Sequence, residues 1–520
     1  MTPAHAGRAL ADAAPVPYWL DRRERPDPLP PLTGAQTADL LVIGGGYGGL
    51  WAALEAKRAD PERDVLLVDA GTCGWAASGR NGGFCAASLT HGLANGVDRF
   101  PDEVGELERL GRENLDAIAA TVAEFDIDCD FERTGELAVA VEPYQLDGLV
   151  ADAELARRYG HRVRLLDAAE VRAEVNSPTY LGGMVDADRV AMVDPAKLAW
   201  GLRRACLALG VRVHEHTRVT GLRADGVALR ADTLGSDPAD LARSAAPAGL
   251  ARTAAPAGLA RSAAPAGLAR SAAPAGLAGS AVAAPGRPGV IRARRVVLAT
   301  NAFPPLLRRL RAYVVPVYDH VLMTEPLSPA QRDAIGWRNR QGLADTGNQF
   351  HYYRITRDGR ILFGGYDAVY HYGNRVAPKL EQRPATFTTL AQHFFTTFPQ
   401  LADVRFSHRW GGVIDTCTRF CPFYGTAFGG RLAYAAGYTG LGVGATRFSA
   451  RVLLDLLAGG NTPLTRLDLV RRKPLPFPPE PVRAVGINLT RRSMARADAR
   501  GGRRDLWLRT LDRLGLGFDS

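Results

Sequence analysis

The sequence predicts an α/β nucleotide-binding domain of the Rossmann type that is discontinuous along the chain. This domain is interleaved with an α+β domain built on a mainly antiparallel sheet. Three observations predict this fold class: a glycine turn between an apolar strand and a helix near residue 44, a second such turn near residue 440, and a long strand-like stretch between them. A chain of 520 residues is long enough for two such domains.

The first glycine turn lies in "ADLLVIGGGYGGLWAAL", residues 38 to 54. The apolar run Leu40–Ile43 predicts a buried strand, and Leu50–Leu54 predicts the start of a helix. Gly44, Gly46 and Gly49 have the G-x-G-x-x-G spacing. This spacing suits a tight turn, close approach of the backbone to a pyrophosphate, and helix-strand packing. A second strand, Val65–Val68, ends at Asp69, twenty positions after the last glycine, where a carboxylate can accept ribose hydroxyls. These residues predict a dinucleotide without selecting which one.

Two further loops favour a flavin. The loop "SGRNGG" (residues 78–83) follows Asp69 and can bring backbone N–H groups to a pyrophosphate. The later turn "AAGYTGLGVG" lies between a strand and a helix, and a helix N-terminus there can stabilise negative charge on a reduced flavin. Nicotinamide does not require that stabilisation.

The remaining predicted helices and strands divide the chain into two interleaved domains and two terminal segments. Helices are predicted at Val104–Phe125, up to Gly210, at Thr386–Phe398 and at Ala445–Leu457, and "RRVVLATN" predicts a buried strand. The nucleotide-binding domain is expected in residues 38–90, 190–305 and 430–464, and the second domain in residues 91–189 and 306–429. Residues 1–37 are predicted to form an extended surface arm, and residues 465–520 a basic C-terminal tail.

A nine-residue repeat occupies residues 241–279, with "LARSAAPAG" or "LARTAAPAG" in each of four copies. Proline and glycine in every copy prevent a helix long enough to pack. We interpret it as a low-complexity, disordered linker between "GLRADGVALRAD" and "GVIRARRVVLAT", two predicted strands of one sheet.

Composition excludes several classes of protein. The net charge of +10 comes from the repeat, with four arginines, and from residues 466–520, with thirteen Arg or Lys against six Asp or Glu. The folded body therefore has no basic excess, and no nucleic-acid partner is expected for it. No apolar run could span a membrane and no signal peptide is present, which predicts a soluble cytoplasmic protein. Six scattered cysteines indicate a reducing compartment, and the Cys417/Cys421 pair lacks the partners of a zinc site, so no metal is predicted.

Taken together, the motifs resemble those of the FAD-dependent amine and amino-acid oxidoreductases related to D-amino-acid, glycine and sarcosine oxidases, and within them the gamma-glutamylputrescine oxidase-like proteins. The resemblance is carried, in family order, by "ADLLVIGGGYGGL", "AASGRNGGF", "MVDPAKLAWGL", "VVLATNAF", "VVPVYDHVLMTEPLS", "YYRITRDGRILFGG", "RWGGVID" and "AAGYTGLGVG". It implies noncovalent FAD, with Asp69 in a ribose-binding position that is usually glutamate. The cofactor-binding residues it implies are Gly44, Gly46, Gly48, Gly49, Asp69, Ala70, Ser78, Arg80, Asn81, Gly82, Val219, Ala299, Asn301, Gly437, Gly440, Leu441, Gly442 and Val443.

The chemistry that the resemblance implies is oxidation of the C–N bond of a small amine or amino acid. A hydride passes from the carbon bearing the amine to flavin N5, and the imine is hydrolysed to a carbonyl. Arg354 is the implied carboxylate-binding residue, with Thr356 or Arg357 as alternatives, and Trp410 and Tyr438 are candidate cavity walls. No acid-base side chain is assigned, and either oxygen or a quinone is the expected electron acceptor.

Three alternatives stay open at this point. Cys417 falls near the place where some sarcosine oxidases tether their flavin. The protein could instead be a nicotinamide-dependent dehydrogenase, or a flavin-fold protein whose basic tail binds RNA or a membrane.

Overall fold

The computed structural model describes residues 2–235 and 287–516. Its strands are β1 Gly34–Ile43, β2 Val65–Val68, β3 Phe84–Ala86, β4 Glu136–Ala140, β5 Val163–Leu166, β6 Gly182–Asp186, β7 Val190–Met192, β8 Arg212–His214, β9 Thr217–Asp225, β10 Ala228–Gly235, β11 Arg287–Leu298, β12 Val315–Thr324, β13 Gly342–Asp345, β14 His351–Ile355, β15 Ile361–Gly365, β16 Val369–Tyr370, β17 Phe406–Thr416, β18 Phe423–Ala427 and β19 Leu432–Ala436. Its helices are α1 Pro3–Ala9, α2 Tyr47–Ala59, α3 Leu93–Arg99, α4 Val104–Glu124, α5 Gln145–Arg158, α6 Ala168–Glu174, α7 Pro195–Ala208, α8 Pro329–Ile335, α9 Pro384–Thr397, α10 Gly442–Leu457, α11 Pro463–Arg466, α12 Asp468–Arg471, α13 Val482–Asp498 and α14 Leu506–Arg513.

The first sheet has the strand order β18-β19-β11-β1-β2-β8, with β10 and β9 attached to β11. The pairs from β19 to β8 are parallel, whereas β18, β10 and β9 pair antiparallel. The apolar run of β1 is buried on both faces: Leu40 and Val42 pack with α2, α7 and α10, whereas Leu41 and Ile43 pack with apolar side chains of β9 and β10. The carboxyl ends of β1 and β2 therefore lead into the glycine turn and Asp69.

The second sheet has the order β16-β12-β15-β14-β13-β4-β6-β5, with β17 also paired to β12. Its pairs are antiparallel except β13 with β4. One face is covered by α9, where an aromatic core forms from Tyr353, Phe363, Phe387, Phe394 and Phe398. The opposite face is left to form the wall of a cavity.

Predicted and observed elements agree where the pattern is local. The strand Val65–Val68 is confirmed to the residue, and α4 ends one residue before the predicted end. Helix α10 begins at Gly442 rather than Ala445, because Leu441 is already its N-cap. One assignment was wrong: β18 pairs with β19 in the first sheet, although the sequence assigned its residues to the second domain.

The nine-residue repeat lies outside the described residues. The strands that flank the gap do pair with each other, from Leu229 opposite Ala293 to Gly235 opposite Arg287. This register confirms that the two flanking segments are neighbouring strands of one sheet.

The N-terminal end differs from prediction, and the C-terminal end, predicted only as a basic tail, contains helices. The N-terminal arm is packed rather than extended on the surface: α1 lies against α9, and Trp19 is 2% exposed. The C-terminal residues contain helices α13 and α14, and α13 docks on the loop between β13 and β14, where Asp498 accepts hydrogen bonds from the backbone N–H groups of Asn348 and Gln349, both at 3.0 Å.

Within the described ranges, no helix has the length and apolar character needed to cross a bilayer. The same residues contain no cluster of three or more His, Cys, Asp or Glu side chains that could hold a metal ion.

Candidate functional site

A cavity of about 1280 Å³ separates the two sheets. It is lined by the turn after β1, the loop after Asp69, the turn before α10, the open face of the second sheet, and the C-terminal helices α13 and α14. Ligand pockets usually hold about 300–1,000 Å³, so the cavity has room for a large cofactor and a small substrate together.

The glycine turn after β1 opens the N-terminus of α2 towards the cavity. A Cβ on Gly44 would lie 2.3 Å from the Ala299 carbonyl oxygen, and one on Gly49 would lie 1.8 Å from the Gly44 oxygen, so neither position accepts a side chain. The N-cap Gly46 has no side chain to cap the helix, and both Gly46 and Gly48 line the cavity. Ser78 accepts from the Tyr47 N–H, and the N–H groups that follow in the first turn of α2 are suited to an anionic pyrophosphate.

Asp69 lies at the end of β2, outside the cavity lining. Its carboxylate accepts hydrogen bonds from the Gly45 N–H (2.6 Å), the Gly71 N–H (2.7 Å) and the Trp75 Nε1–H (2.9 Å). Burial raises the pKa of Asp69 above its ordinary value, and these donors oppose that shift. A carboxylate has about four acceptor positions, so one is left for a ribose hydroxyl.

Ala70 and Val219 lie at the same edge of the first sheet as Asp69. Ala70 follows it directly, and β9, which carries Val219, begins where the Thr217 N–H donates to the Asp69 carbonyl at 2.6 Å. These three residues lie away from the cavity lining, where the adenosine end of a dinucleotide would extend.

Two tryptophan side chains support the loop Ser78–Gly82 by hydrogen bonds to its backbone carbonyl groups. Trp19 donates from Nε1 to the Asn81 carbonyl at 3.0 Å, and Trp410 donates from Nε1 to the Arg80 carbonyl at 2.9 Å. Trp410 is 1% exposed and is not among the cavity-lining residues. Its prediction as a cavity wall was wrong, since the ring packs under the loop and supports it.

The Ser78 and Arg80 side chains are also engaged. The Ser78 hydroxyl accepts from the Tyr47 N–H at 2.9 Å, which ties the loop to the first turn of α2. The Arg80 guanidinium lies over the Trp75 ring and pairs with Glu381. The loop and the glycine turn thus form one continuous wall of the cavity.

The second glycine turn is built on a buried carboxyl that the sequence did not reveal. Asp415 accepts from the Gly437 N–H at 2.6 Å and from the Asn301 side-chain amide at 3.3 Å, and burial raises its pKa to about 7. Gly437 itself does not line the cavity, whereas Asn301 and the neighbouring Ala299 do. The predicted residues that follow form the cavity wall at the N-terminus of α10: Tyr438, Gly440, Leu441, Gly442 and Val443.

Arg354 does not line the cavity. It is 4% exposed, donates to the Val193 carbonyl at 2.5 Å, and stacks 5.8 Å from the Trp19 ring centroid. Burial lowers the pKa of Arg354 to about 10. The structure therefore does not place it as a carboxylate clamp; the alternatives Thr356 and Arg357 do not line the cavity either.

The second sheet instead presents a hydrogen-bonded tyrosine–carboxyl pair that sequence reasoning missed. The Tyr352 hydroxyl donates to the Asp319 carboxylate, and both residues line the cavity. Burial raises the pKa of Asp319 to about 6, although Tyr352 and the backbone N–H of His320 donate to the carboxylate and oppose that shift. The Tyr352 ring lies against Gly82, where an added Cβ would come within 2.7 Å of it, so the pair faces the loop that follows Asp69.

Comparison with known proteins places the chain among flavoenzymes. The DAO family model, described as FAD dependent oxidoreductase, matches residues 39–245 and 248–456. The gamma-glutamylputrescine oxidoreductase of Escherichia coli is 29% identical over 479 residues, which cover 89% of this chain and 92% of that protein. The probable oxidoreductase OrdL of Haemophilus influenzae is 25% identical over 460 residues, 86% of this chain and 89% of that protein. Glycine oxidase from Geobacillus kaustophilus has the same fold, with a TM-score of 0.61 and 19% identity over 84% of this chain and 99% of that one.

Proposed function

The chain belongs to the DAO family of FAD dependent oxidoreductases, and on that premise we propose that it oxidises the C–N bond of a small amine or amino acid. Its cofactor is FAD, which overturns the alternative of a nicotinamide-dependent dehydrogenase. The observation that carries the proposal is the cavity itself, which runs from the N-termini of α2 and α10 to the Asp319–Tyr352 pair.

The residues present fit FAD. Asp69 has an acceptor position left for the ribose, and the α2 N-terminus offers N–H groups for the pyrophosphate. The α10 N-terminus, whose N-cap Leu441 makes no side-chain cap, would face the flavin ring where negative charge accumulates on reduction. We propose noncovalent binding, because burial raises the pKa of the Cys417 thiol to about 12 and so disfavours the reactive thiolate.

When bound, FAD supplies the two-electron acceptor for a hydride from the carbon that bears the amine. The protein must bring that carbon to the ring and keep the amine neutral. The apolar cavity lowers the pKa of a bound ammonium group, and Asp319 accepts its proton on the carboxylate. Tyr352 holds that carboxylate in place through its hydroxyl. The imine product is hydrolysed by water to a carbonyl.

The names of the similar proteins support an amine substrate. One is a gamma-glutamylputrescine oxidoreductase and another a glycine oxidase, and both names specify a compound with a C–N bond. The rival role of the C-terminal residues in RNA or membrane binding has less support, because their described part packs on the second sheet and lines the cavity. As the electron acceptor we propose either oxygen or a quinone.

Anaerobic flavin reduction tests the proposal. The purified yellow holoenzyme is mixed without oxygen with polyamines, their gamma-glutamyl derivatives, N-methyl amino acids and D-amino acids, and the flavin absorbance is followed. We expect one class to bleach the flavin and to yield a carbonyl product. A full flavin complement that dithionite bleaches, but that none of these amines does, would overturn the proposal. Reoxidation by air or by an added quinone then identifies the acceptor.

A further inference from the structure

The outer wall of the cavity comes from residues beyond the family match, which ends at residue 456. Helix α13 turns one face inward, where Gly486, Thr490 and Met494 line the cavity at spacings of four residues. Helix α14 continues this wall, and its Trp507 donates from Nε1 to the Thr490 hydroxyl at 3.0 Å, which joins the two helices. The opposite faces of both helices therefore point away from the cavity.

The face of α13 that points away from the cavity is exposed and partly apolar. Its exposed residues recur at intervals of three and four, so they lie along one side of the helix. We call them the outer stripe: Val482, Val485, Leu489, Arg492 and Arg496. Val485 is 64% exposed. Apolar side chains that are exposed together in one row, unlike single ones, mark an interaction surface.

Helix α14 adds to this surface with the same mixture of side chains. Leu506 is 73% exposed, and exposed Arg509 and Arg513 follow it at spacings of three and four residues. Its other side carries the buried Leu508 and the cavity-lining Trp507. Each of the two helices thus has one side in the protein and one side on which leucine or valine stands beside arginine, which is typical of helices that lie on a lipid surface.

The charge exposed on the C-terminal residues has one sign. Between residues 466 and 516, ten Arg or Lys side chains are exposed, whereas the one exposed acid is Asp512, which pairs with Arg504. Each Arg or Lys that comes close to an anionic bilayer strengthens binding to it. The partner that this surface fits is therefore negatively charged and offers apolar groups beneath its charges, as an anionic bilayer does.

The cavity opens at this surface. Leu475, Val482 and Leu514 line the cavity although each is more than half exposed, so they form the rim of its mouth. The strand-like segment before α13 is fixed to the body, because the Thr418 hydroxyl donates to the Leu475 carbonyl at 2.7 Å. Val482 belongs both to this rim and to the outer stripe. An apolar molecule can thus pass from the surface into the cavity along apolar side chains.

We propose that the outer stripe and α14 bind an anionic lipid bilayer, and that a quinone dissolved in this bilayer enters through the mouth of the cavity as the electron acceptor. Two electrons and one proton pass from the reduced cofactor to the quinone, and the second proton comes from Asp319, which took it from the substrate amine. Quinol then leaves and FAD is restored. The quinone step rests on the proposed function, and contact with the bilayer serves amine oxidation instead of replacing it.

The first test measures binding to lipid and requires no turnover. The full-length holoenzyme is mixed with vesicles of phosphatidylcholine and phosphatidylglycerol, or of phosphatidylcholine alone, and floated through a density gradient. We expect flotation with the anionic vesicles, weakened by added salt, and little flotation with phosphatidylcholine alone. The double variant Val485→Glu/Leu489→Glu should bind at least about tenfold more weakly, because its apolar row now carries negative charge.

The chain offers a matched control on another helix. Leu146 and Val150 are exposed on α5, also four residues apart, so Leu146→Glu/Val150→Glu introduces the same charges at the same spacing. This control should float as the wild type does. Absence of flotation for the wild type, or equal flotation of the Val485→Glu/Leu489→Glu variant, would overturn the inference. If that variant sediments as a monomer and the wild type as a dimer that does not float, a second copy of the chain covers the outer stripe and the inference is wrong.

The second test follows the electrons without a substrate. The holoenzyme is reduced anaerobically by light in the presence of EDTA, and reoxidation of the flavin is followed with a long-chain quinone in anionic vesicles or with a water-soluble quinone. We expect Val485→Glu/Leu489→Glu to be reoxidised at least about tenfold more slowly by the vesicle quinone and at the wild-type rate by the water-soluble one. Equal rates with the vesicle quinone, or equal losses with both quinones, contradict the inference. Both tests can be read even where no amine bleaches the flavin and the proposed function itself has failed.

Discussion

Replacement of Asp319 by asparagine gives the sharpest prediction about the chemistry. The side chain keeps its size and can still accept from Tyr352, but it can no longer take a proton. Because burial raises the pKa of Asp319 to about 6, the carboxylate form makes up about nine tenths of the population at pH 7 and about one tenth at pH 5. The rate of flavin reduction at low substrate concentration should therefore fall about tenfold over that range through this group alone. Asp319→Asn should lose this dependence and be slower by about 10²–10⁴ at pH 7.

The assay is rapid mixing of the anaerobic holoenzyme with substrate at a series of pH values. Asp333→Asn, the same change on the exposed surface of α8, serves as the control. Asp415→Asn separates the two titrating groups, because Asp415 also lines the cavity and burial raises its pKa to about 7. If Asp319→Asn keeps the titration near pH 6, or loses less than about threefold in rate, Asp319 is not the base.

The stability of the same variant checks that the fold is intact. A carboxyl whose pKa is higher in the folded state binds more protons there than in the unfolded state between pH 4 and 6, so the free energy of unfolding falls as pH rises through that window. For a shift from 3.8 to about 6 the loss is about 3 kcal/mol at most. Asp319→Asn should lack this loss and unfold no earlier than the wild type at pH 7, as measured by thermal denaturation.

Three further predictions concern the cofactor. Gly49→Ala should abolish flavin binding, measured as flavin absorbance per protein, because its Cβ would lie 1.8 Å from the Gly44 oxygen; a full flavin complement would contradict the packing of this turn. Acid precipitation should release all the FAD into the supernatant, and Cys417→Ser should bind FAD as the wild type does, since burial raises the pKa of that thiol to about 12; retained yellow colour in the pellet would show a covalent bond. Deletion of residues 241–279 should leave flavin content and turnover unchanged, because the flanking strands β10 and β11 pair with each other, and loss of cofactor would refute this.

The sequence was most informative where the partners are close along the chain. The first strand, the glycine turn and Asp69 lie within about thirty residues, and Gly44, Gly49 and Asp69 are packed or hydrogen-bonded as that local pattern requires. The Val65–Val68 strand was found to the residue because a short apolar run bounded by polar residues has few alternatives.

The parts of the site that the sequence did not predict are built across the sheet. Asp319 and Tyr352 are brought together by β12 and β14, with β15 between them, and neither lies in a local motif. Arg354 follows Tyr352 by two residues and shares its strand face. The backbone of Gly83 covers the Arg354 side chain, so Arg354 is interior whereas Tyr352 lines the cavity. Strand periodicity alone cannot make that distinction.

For residues 465–520 the sequence predicted only a basic tail and no helix. A helix that faces a cavity instead of a packed core needs few large apolar residues, so α13 looks like a solvated basic helix. The side chains that attach α13, such as Asp498, cannot be recognised from the sequence, because their backbone donors belong to a distant part of the chain.

The order of the strands in the first sheet has a consequence for biosynthesis. β1 pairs with β11, which is made more than 240 residues later, and β11 in turn pairs with β19 near residue 434. A nascent chain that has left the ribosome as far as β2 therefore carries the complete glycine fingerprint and no finished sheet to support it. Contacts this distant in sequence form slowly, and the strand edges stay open until the last third of the chain arrives. We therefore expect FAD to be loaded late, after β19 has emerged from the ribosome.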